Sequence, residues 1–499
     1  MLAMKPYAEL EQRFRRLSAV GGALAMLGWD QSAMMPEGGA EARAEQMATL
    51  SVLRHEWLTD PALGGLLEAA EEQADRLTDW QRANLREMRH EWRHATALNG
   101  KLVDALSRAA ATCEMVWRKA KKENDFKAFA KVFGPVLELT REAAAAKAAL
   151  LGRSPYDALL DEYYPGGSSK SIDAIFADLG KFLPGFIDKA LARQAKKPAP
   201  LPISGPFSTD KQREAGLFFM KALGFDFHHG RLDVSAHPFT GGTPSDVRIT
   251  TRYADEDFTR SLMGVLHETG HALYELGLPG KWQHQPVGRA GGMVLHESQS
   301  LLVEMQVCRG DEFLSFATPV LRRIFGGDGP AWSLENLQRT YRRVQPSLIR
   351  VDADEVTYPA HVILRYRLEQ MLLSGDLAIN DLPDAWADGM QTLLGVDVPD
   401  HGHGCLQDIH WSTGSIGYFP TYTLGALAAA QLFAAAKAAD PAIQPGIAKG
   451  DFKPLLRWLR KHVHSLGSLL STDDLLRQAT GNPLNATAFK AHLKARYLS

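Results

Sequence analysis

Val265-Leu266-His267-Glu268-Thr269-Gly270-His271-Ala272-Leu273-Tyr274 contains the pattern H-E-x-x-H. Residues four apart on a helix lie on one face, so His267 and His271 can hold one metal ion through two imidazoles. Glu268 is turned beside them, placed to reach a water on that ion rather than the ion itself. The surrounding run, 257–277, reads as a helix. Leu262, Leu266, Leu273 and Leu276 form its apolar stripe, with Gly277 and Pro279 to end it. Gly270 is costly inside a helix, by about 1 kcal/mol relative to Ala, which suggests that something packs or binds close by. The plain alternative is a buried helix with two hydrogen-bonded histidines.

A catalytic zinc usually takes three protein ligands and keeps one open position. The metzincin spacing needs Gly at 274 and His at 277, but the chain has Tyr274 and Gly277, which excludes that class. Candidates for the third ligand are Glu275, Glu297 and Glu304, with His284 and His296 as nitrogen options. Glu297 is preferred, because His-His-Glu is a common hydrolytic zinc set. His296 then becomes a neighbour that hydrogen-bonds or packs, and Glu275 an outer partner of a ligand. His401 and His403 resemble a metal pair but sit on a glycine-rich loop without helical spacing.

Bulk properties narrow the class. Over 499 residues the apolar share is 45% and the charged share 23%, with a net charge of -2. Such a balance fits a globular chain and gives no reason to expect nucleic acid. Cys113, Cys308 and Cys405 are too few and too scattered for a disulfide framework or a Cys-type zinc site. Arg13, Arg15 and Arg16 precede an apolar run, 17–27, with Ala23-Leu24-Ala25 as a cleavage-like site. Glu9, Glu11 and a glycine pair oppose a signal peptide, so a cytoplasmic location is expected. No run reaches the length of a membrane span.

Helical periodicity fills residues 5–152, with helices expected at 40–55, 78–99, 102–122 and 126–151. The segment 196–206 carries four prolines and reads as an extended joint. Thr209 with Gln212 suggests a capping box. Stretches 231–235 and 247–253 alternate and are β-branched, flanking a Gly241-Gly242-Thr243-Pro244 turn. They predict two or three antiparallel strands just before the metal helix. Residues 293–308 predict a second helix.

With these motifs in order, the chain resembles the M32 metallocarboxypeptidases of the thermostable carboxypeptidase Taq type. His237-Pro238-Phe239 matches H-P-F, and Asp246-Val247-Arg248-Ile249-Thr250 matches D-x-R-x-T. H-E-x-x-H at 267–271 is followed by His296-Glu297-Ser298-Gln299 for H-E-S-Q. Ile349-Arg350-Val351-Asp352-Ala353-Asp354 matches I-R-x-x-A-D, and 404–411 matches G-x-x-Q-D-x-H-W. The resemblance implies a mainly α, two-lobed helical metallopeptidase fold, like neurolysin and angiotensin-converting enzyme. A deep groove and a small antiparallel sheet beside the metal-binding helix belong to that fold. One peptidase domain over 1–499 is expected, with a helical N-terminal lobe to about 200, a sheet and metal-site core over about 205–430, and a helical C-terminal part.

It further implies a homodimer that removes single C-terminal residues with broad specificity, using one divalent ion, zinc, with cobalt or manganese able to substitute. On that basis His267, His271 and Glu297 hold the metal and Glu268 is general base and acid. His410 and Tyr418 are candidates to stabilise the oxyanion. A planar guanidinium can read a free carboxylate in a fork, for which Arg350 is first choice and Arg248 second, although Asp246 is placed to pair with Arg248. His237 is a candidate for touching the substrate backbone. Two other functions would use the same residues: a dipeptidase or oligopeptidase, and a non-catalytic metal-stabilised peptide-binding module.

Overall fold

The computed structural model describes residues 5–499. Helices dominate, with one three-stranded sheet among the described residues. The chain forms two compact units from interleaved segments. Of the described residues, the first comprises 5–95, 200–341 and 428–484; the second comprises 96–199, 342–427 and 485–499. One division between them falls at residues 199 and 200, inside the proline-rich stretch.

In the first unit the helix Lys5–Ala33 buries Tyr7, Leu10, Phe14 and Leu17, spaced three and four apart. They pack on Leu58, Leu63, Leu67, Leu85 and Met88. Of the apolar run 17–27, Leu17 belongs to this core. Ser208, not Thr209, caps the helix Thr209–Leu223, its Oγ accepting from the Lys211 backbone N–H at 3.4 Å. Gln212 instead donates to the Phe207 carbonyl at 2.7 Å and the Ala254 carbonyl at 2.9 Å, tying the helix to the segment before the metal helix.

Strands β1 (Gly230–Val234), β2 (Thr240–Thr243) and β3 (Asp246–Thr251) pair in the order β1-β3-β2. β2 runs antiparallel to β3, but β1 is parallel to it, so the sheet is mixed rather than wholly antiparallel. The glycine-rich stretch expected to be a turn supplies most of β2, and the reversal lies between Thr243 and Asp246. Leu232, Val247 and Ile249 face Val265 and Ala272 of the following helix, with Met220 and Phe225 closing the cluster. This packing sets the sheet against one flank of the H-E-x-x-H helix.

That helix spans Phe258–Glu275, and the Asp257 carboxylate caps it by accepting from the Thr259 N–H at 2.8 Å. The next helix is α-helical over Met293–Leu301 and widens to a π-helical stretch over Leu302–Cys308. The continuous apolar and polar pattern of 293–308 does not distinguish the two.

In the second unit, helices Gly100–Glu123 and Phe126–Leu151 begin at Asn99 and Asp125, whose side chains accept from backbone N–H groups three residues on. Tyr358–Ser374 is buried on nearly every side, including the polar residues His361, Arg365 and Glu369. Among the described residues no helix is long and apolar enough to cross a membrane.

Candidate metal centre

The two metal-type helices touch at Gly270. A Cβ there would lie 2.4 Å from the Gln299 carbonyl oxygen and 2.6 Å from Ser300 Cα. Only glycine allows this approach, and the approach brings the start of the second helix beside the two histidines. His267 Nε2 is 3.9 Å from Glu297 Oε1, and His271 Nε2 is 3.5 Å from Glu297 Oε2. The three donor atoms lie within 4.8 Å of one another. His271 and Glu297 are buried, whereas His267 retains 23% side-chain exposure.

The remaining ring nitrogens are engaged. His267 Nδ1 is 3.0 Å from Glu304 Oε2, and Arg309 Nη2 donates to Glu304 Oε1 at 2.6 Å. His271 Nδ1 is 2.6 Å from His296 Nδ1, and His296 Nε2 is 2.8 Å from Glu275 Oε1. Each ligand candidate therefore turns its Nε2 toward Glu297 while its Nδ1 is held from behind. Burial opposes a charge on His267, but Glu297, Glu304 and Glu268 together push its pKa up to about 10. Burial, with help from the neighbouring His296 and His267, lowers the pKa of His271 despite Glu297. Glu297 is held below the ordinary carboxylate range: burial works against its charge, and His267 and His271 outweigh it.

Glu268 lies on the same helix, buried, and its Oε2 accepts from Thr240 Oγ1 at 2.7 Å. Thr240 is the first residue of β2, so the sheet packed against the helix also orients this carboxylate. Its hydroxyl is also 3.0 Å from the Glu268 carbonyl oxygen.

A sequence model of the Carboxypeptidase Taq (M32) metallopeptidase family matches residues 9–497. The chain belongs to this family. The M32 chain is 40% identical over 500 residues to thermostable carboxypeptidase 1 of Thermus thermophilus, covering 98% of this chain and 97% of that protein. It is 32% identical to carboxypeptidase 1 of Bacillus subtilis, covering 97% and 96%. The solved structure of Trypanosoma cruzi metallocarboxypeptidase 1 superposes with a TM-score of 0.98 at 41% identity, covering 99% of this chain and 100% of that one. The family is one of metal-dependent carboxypeptidases, and this chain is such an enzyme.

The first unit of the M32 chain fits the divalent ion that its family implies. Two imidazoles and a carboxylate are a hydrolytic zinc donor set. Bonds of about 2.1 Å to a tetrahedral ion put its donors about 3.4 Å apart, near the 3.5 and 3.9 Å separations present. The other expected ligands are used elsewhere: Glu304 backs His267, Glu275 backs His296, and His284 contacts Gln283 at 3.0 Å. His403 Nδ1 contacts the Asp400 carboxylate at 2.8 Å and His401 packs on Phe126, in the second unit.

Arg350, His410 and Tyr418 also belong to the second unit. Arg350 is buried, and its Nε and Nη2 donate to Asp408 Oδ1 at 3.0 and 2.8 Å. Its Nη1 donates to the Tyr358 hydroxyl at 2.8 Å. Arg365 Nε donates to the other Asp408 oxygen at 2.6 Å. Burial opposes the Asp408 charge, but the two guanidinium groups hold its pKa well below the usual carboxylate range. Two cations thus share one anion. Arg248 differs: Asp246 takes it in a fork at 2.9 and 2.8 Å, and it lies over the Trp29 ring at 4.3 Å.

His410 Nε2 is 3.2 Å from the Tyr422 hydroxyl, while Nδ1 is buried with no hydrogen-bond partner among the described residues. Burial and the nearby Arg350 and Arg365 lower its pKa to about 4, so the ring is neutral near pH 7. Tyr418 is half-buried, edge-on to Tyr163 at 4.9 Å and Tyr422 at 5.2 Å. His237 is exposed on the β1–β2 connection, its carbonyl accepting from Ser235 Oγ at 2.6 Å.

Sequence reasoning did not single out Thr240, Arg309 or Glu369. Thr240 lies in the stretch read as a turn approach, and its partner is 28 residues away. No local spacing marks such a pair.

Proposed function

We propose that this M32 enzyme removes single residues from the free C-termini of peptides, with zinc held by His267, His271 and Glu297. The observation that carries the metal assignment is the convergence of both Nε2 atoms on the Glu297 carboxylate, with each Nδ1 hydrogen-bonded from behind. Cobalt or manganese would serve the same donors. A divalent ion supplies Lewis acidity toward the scissile carbonyl and the attacking water.

Glu268 takes the proton of the attacking water and returns it to the leaving amine. Thr240, bonded to its Oε2, leaves Oε1 for that exchange. His410 or Tyr418 donates to the oxyanion, an assignment that rests on the G-x-x-Q-D-x-H-W motif. Arg350 reads the substrate carboxylate. Asp408 and Tyr358 use three of its five N–H groups, which leaves one on each Nη. The surplus positive charge of Arg350 and Arg365 over Asp408 favours an anion, whereas Arg248 is neutralised by Asp246. His237, exposed beside the sheet, is assigned to the substrate backbone through H-P-F alone. We also take the enzyme to be a homodimer of single-domain chains acting in the cytoplasm, readings supported by the resemblance and by the scattered, buried cysteines.

The test is a panel of short peptides, as free acids and as C-terminal amides, incubated with metal-loaded protein and followed by mass. Free acids should shorten one residue at a time while amides persist. Amides cleaved as fast as acids overturn the exopeptidase reading, and cleavage of dipeptides with longer free acids left intact points to a dipeptidase. Glu268→Gln should keep its metal and lose about 10²–10⁴-fold in turnover. Unchanged hydrolysis by that variant removes Glu268 from the mechanism.

A further inference from the structure

Behind His271 lies a second histidine, and behind that a carboxylate. We infer that Glu275 and His296 form a two-step hydrogen-bond relay that fixes the ring and tautomer of His271 and thereby sets how tightly the protein holds its metal. The inference rests on the metal reading above and adds two positioning residues to it.

Proton bookkeeping along the relay is constrained. Glu275 Oε1, 2.8 Å from His296 Nε2, is an acceptor, so that nitrogen carries the hydrogen. In the tautomer with its hydrogen on Nε2, His296 presents a lone pair at Nδ1. His271 Nδ1, 2.6 Å away, must supply the hydrogen between the two rings. That leaves the lone pair of His271 at Nε2, the atom that faces Glu297 at 3.5 Å. The opposite tautomer would set two lone pairs against each other at 2.6 Å and aim an N–H at the metal position. Ring orientation is fixed by the same neighbours. His296 packs between the ring of His271, at 4.7 Å, and that of Tyr274, at 5.5 Å. Tyr274 is itself pinned, its hydroxyl accepting from the Gly291 N–H at 3.1 Å.

The two ligand histidines are therefore backed differently. His267 has a carboxylate directly behind it at 3.0 Å, whereas His271 reaches one only through a second imidazole ring. Both arrangements end on a carboxylate, which is the pattern that raises imidazole basicity toward a metal. The relay is also compact in sequence: Glu275 is one turn beyond His271, and His296 immediately precedes Glu297. The second helix thus supplies both a ligand, Glu297, and the ring that backs a ligand of the first, His271.

The experiment measures zinc affinity of the metal-stripped full-length protein by competition with a chromophoric chelator, with folding followed by circular dichroism. His296→Phe keeps a ring and removes both hydrogen bonds; His296→Gln retains an acceptor and a donor; Glu275→Ala removes the end of the relay. His296→Phe should weaken zinc binding by about 10–100-fold, Glu275→Ala should weaken it by a smaller factor, and His296→Gln should recover most of the loss. A folded His296→Phe within threefold of the parent overturns the relay. If His296→Phe does not fold, Glu275→Ala decides, and parental affinity there overturns it equally. Failure of the parent itself to bind zinc, or a Glu297→Gln variant that binds as well as the parent, would instead strike the metal reading.

Discussion

On the proposed mechanism, the Thr240 hydroxyl acts on the reaction through its bond to Glu268. It has a single hydrogen, and two acceptors of Glu268 within 3.0 Å compete for it. The ionised carboxylate is the stronger acceptor, so the bond restrains the Glu268 side chain through Oε2 and leaves Oε1 unengaged by Thr240. Thr240→Val keeps the shape and β-branching of the strand residue but removes the donor. We expect kcat to fall about 10-fold, on the order of 1–1.5 kcal/mol for one hydrogen bond, with KM and zinc content unchanged. Thr240→Ser should restore most of the activity. Steady-state kinetics on a free-acid peptide checks this, and a change in KM alone would assign Thr240 to substrate binding instead. At this scale the sequence was informative where spacing is local. His267, Glu268 and His271 follow from one helical turn. Glu275, Glu297 and Glu304 were all credible third ligands, because which carboxylate faces the ion depends on how two helices cross. The fold gives each a separate task, with Glu304 on His267, Glu275 on His296 and Glu297 facing both Nε2 atoms.

Helices and strands carry the next level of the argument. An interior helical glycine replaced by alanine normally gains about 1 kcal/mol of helix propensity. The Phe258–Glu275 helix provides a matched pair for testing this. At Gly264 nothing lies within 4 Å of an added Cβ, whereas at Gly270 the backbone of Gln299 and Ser300 lies within 2.6 Å. Gly264→Ala should therefore be neutral or stabilising. Gly270→Ala should destabilise by about 1–3 kcal/mol, the cost of overpacking, and weaken zinc binding by moving Glu297 away from the histidines. Urea unfolding of both variants checks the contrast; equal stabilities would mean that the helices separate freely. The glycine was visible in the sequence as an anomaly, although what approached it was not. The same limit applies to β2. Thr240-Gly241-Gly242-Thr243 has turn composition, yet it pairs along β3 because the buried face of the sheet is supplied by β1 and β3. The parallel pairing of β1 with β3 is likewise a tertiary choice that period-two alternation does not encode. The π-helical stretch Leu302–Cys308 escapes notice for a similar reason, although it carries Glu304 and thereby the support of His267.

For the whole molecule, helical content and the presence of a small sheet were legible from periodicity, whereas the interleaving of segments into two units was not. Periodicity reports which residues are buried and is silent on which distant segment buries them. Polar residues inside the second unit were equally hidden, and Glu369 is the one with the clearest consequence. It is fully buried on the helix Tyr358–Ser374. It accepts from the Tyr156 hydroxyl, from the Gly417 N–H at 3.2 Å and from the Trp411 indole at 3.4 Å. Trp411 and Gly417 belong to the segment that carries His410 and Tyr418, so this one carboxyl braces it. Burial raises the Glu369 pKa from 4.5 to about 8, with the three donors pulling the other way. The folded protein then binds a proton that the unfolded chain releases above about pH 4.5, so this contribution is complete at low pH and is lost as pH rises toward 8. Across that window the parent loses at most about 1.4 kcal/mol per pH unit from this group. Glu369→Gln is neutral at every pH and keeps an acceptor for Tyr156. The difference in urea midpoint between variant and parent should therefore grow in the variant's favour from pH 5 to pH 8. A difference that stays constant over that range would mean that Glu369 is ionised in the folded enzyme throughout, its charge satisfied by Tyr156, Trp411 and the Gly417 amide.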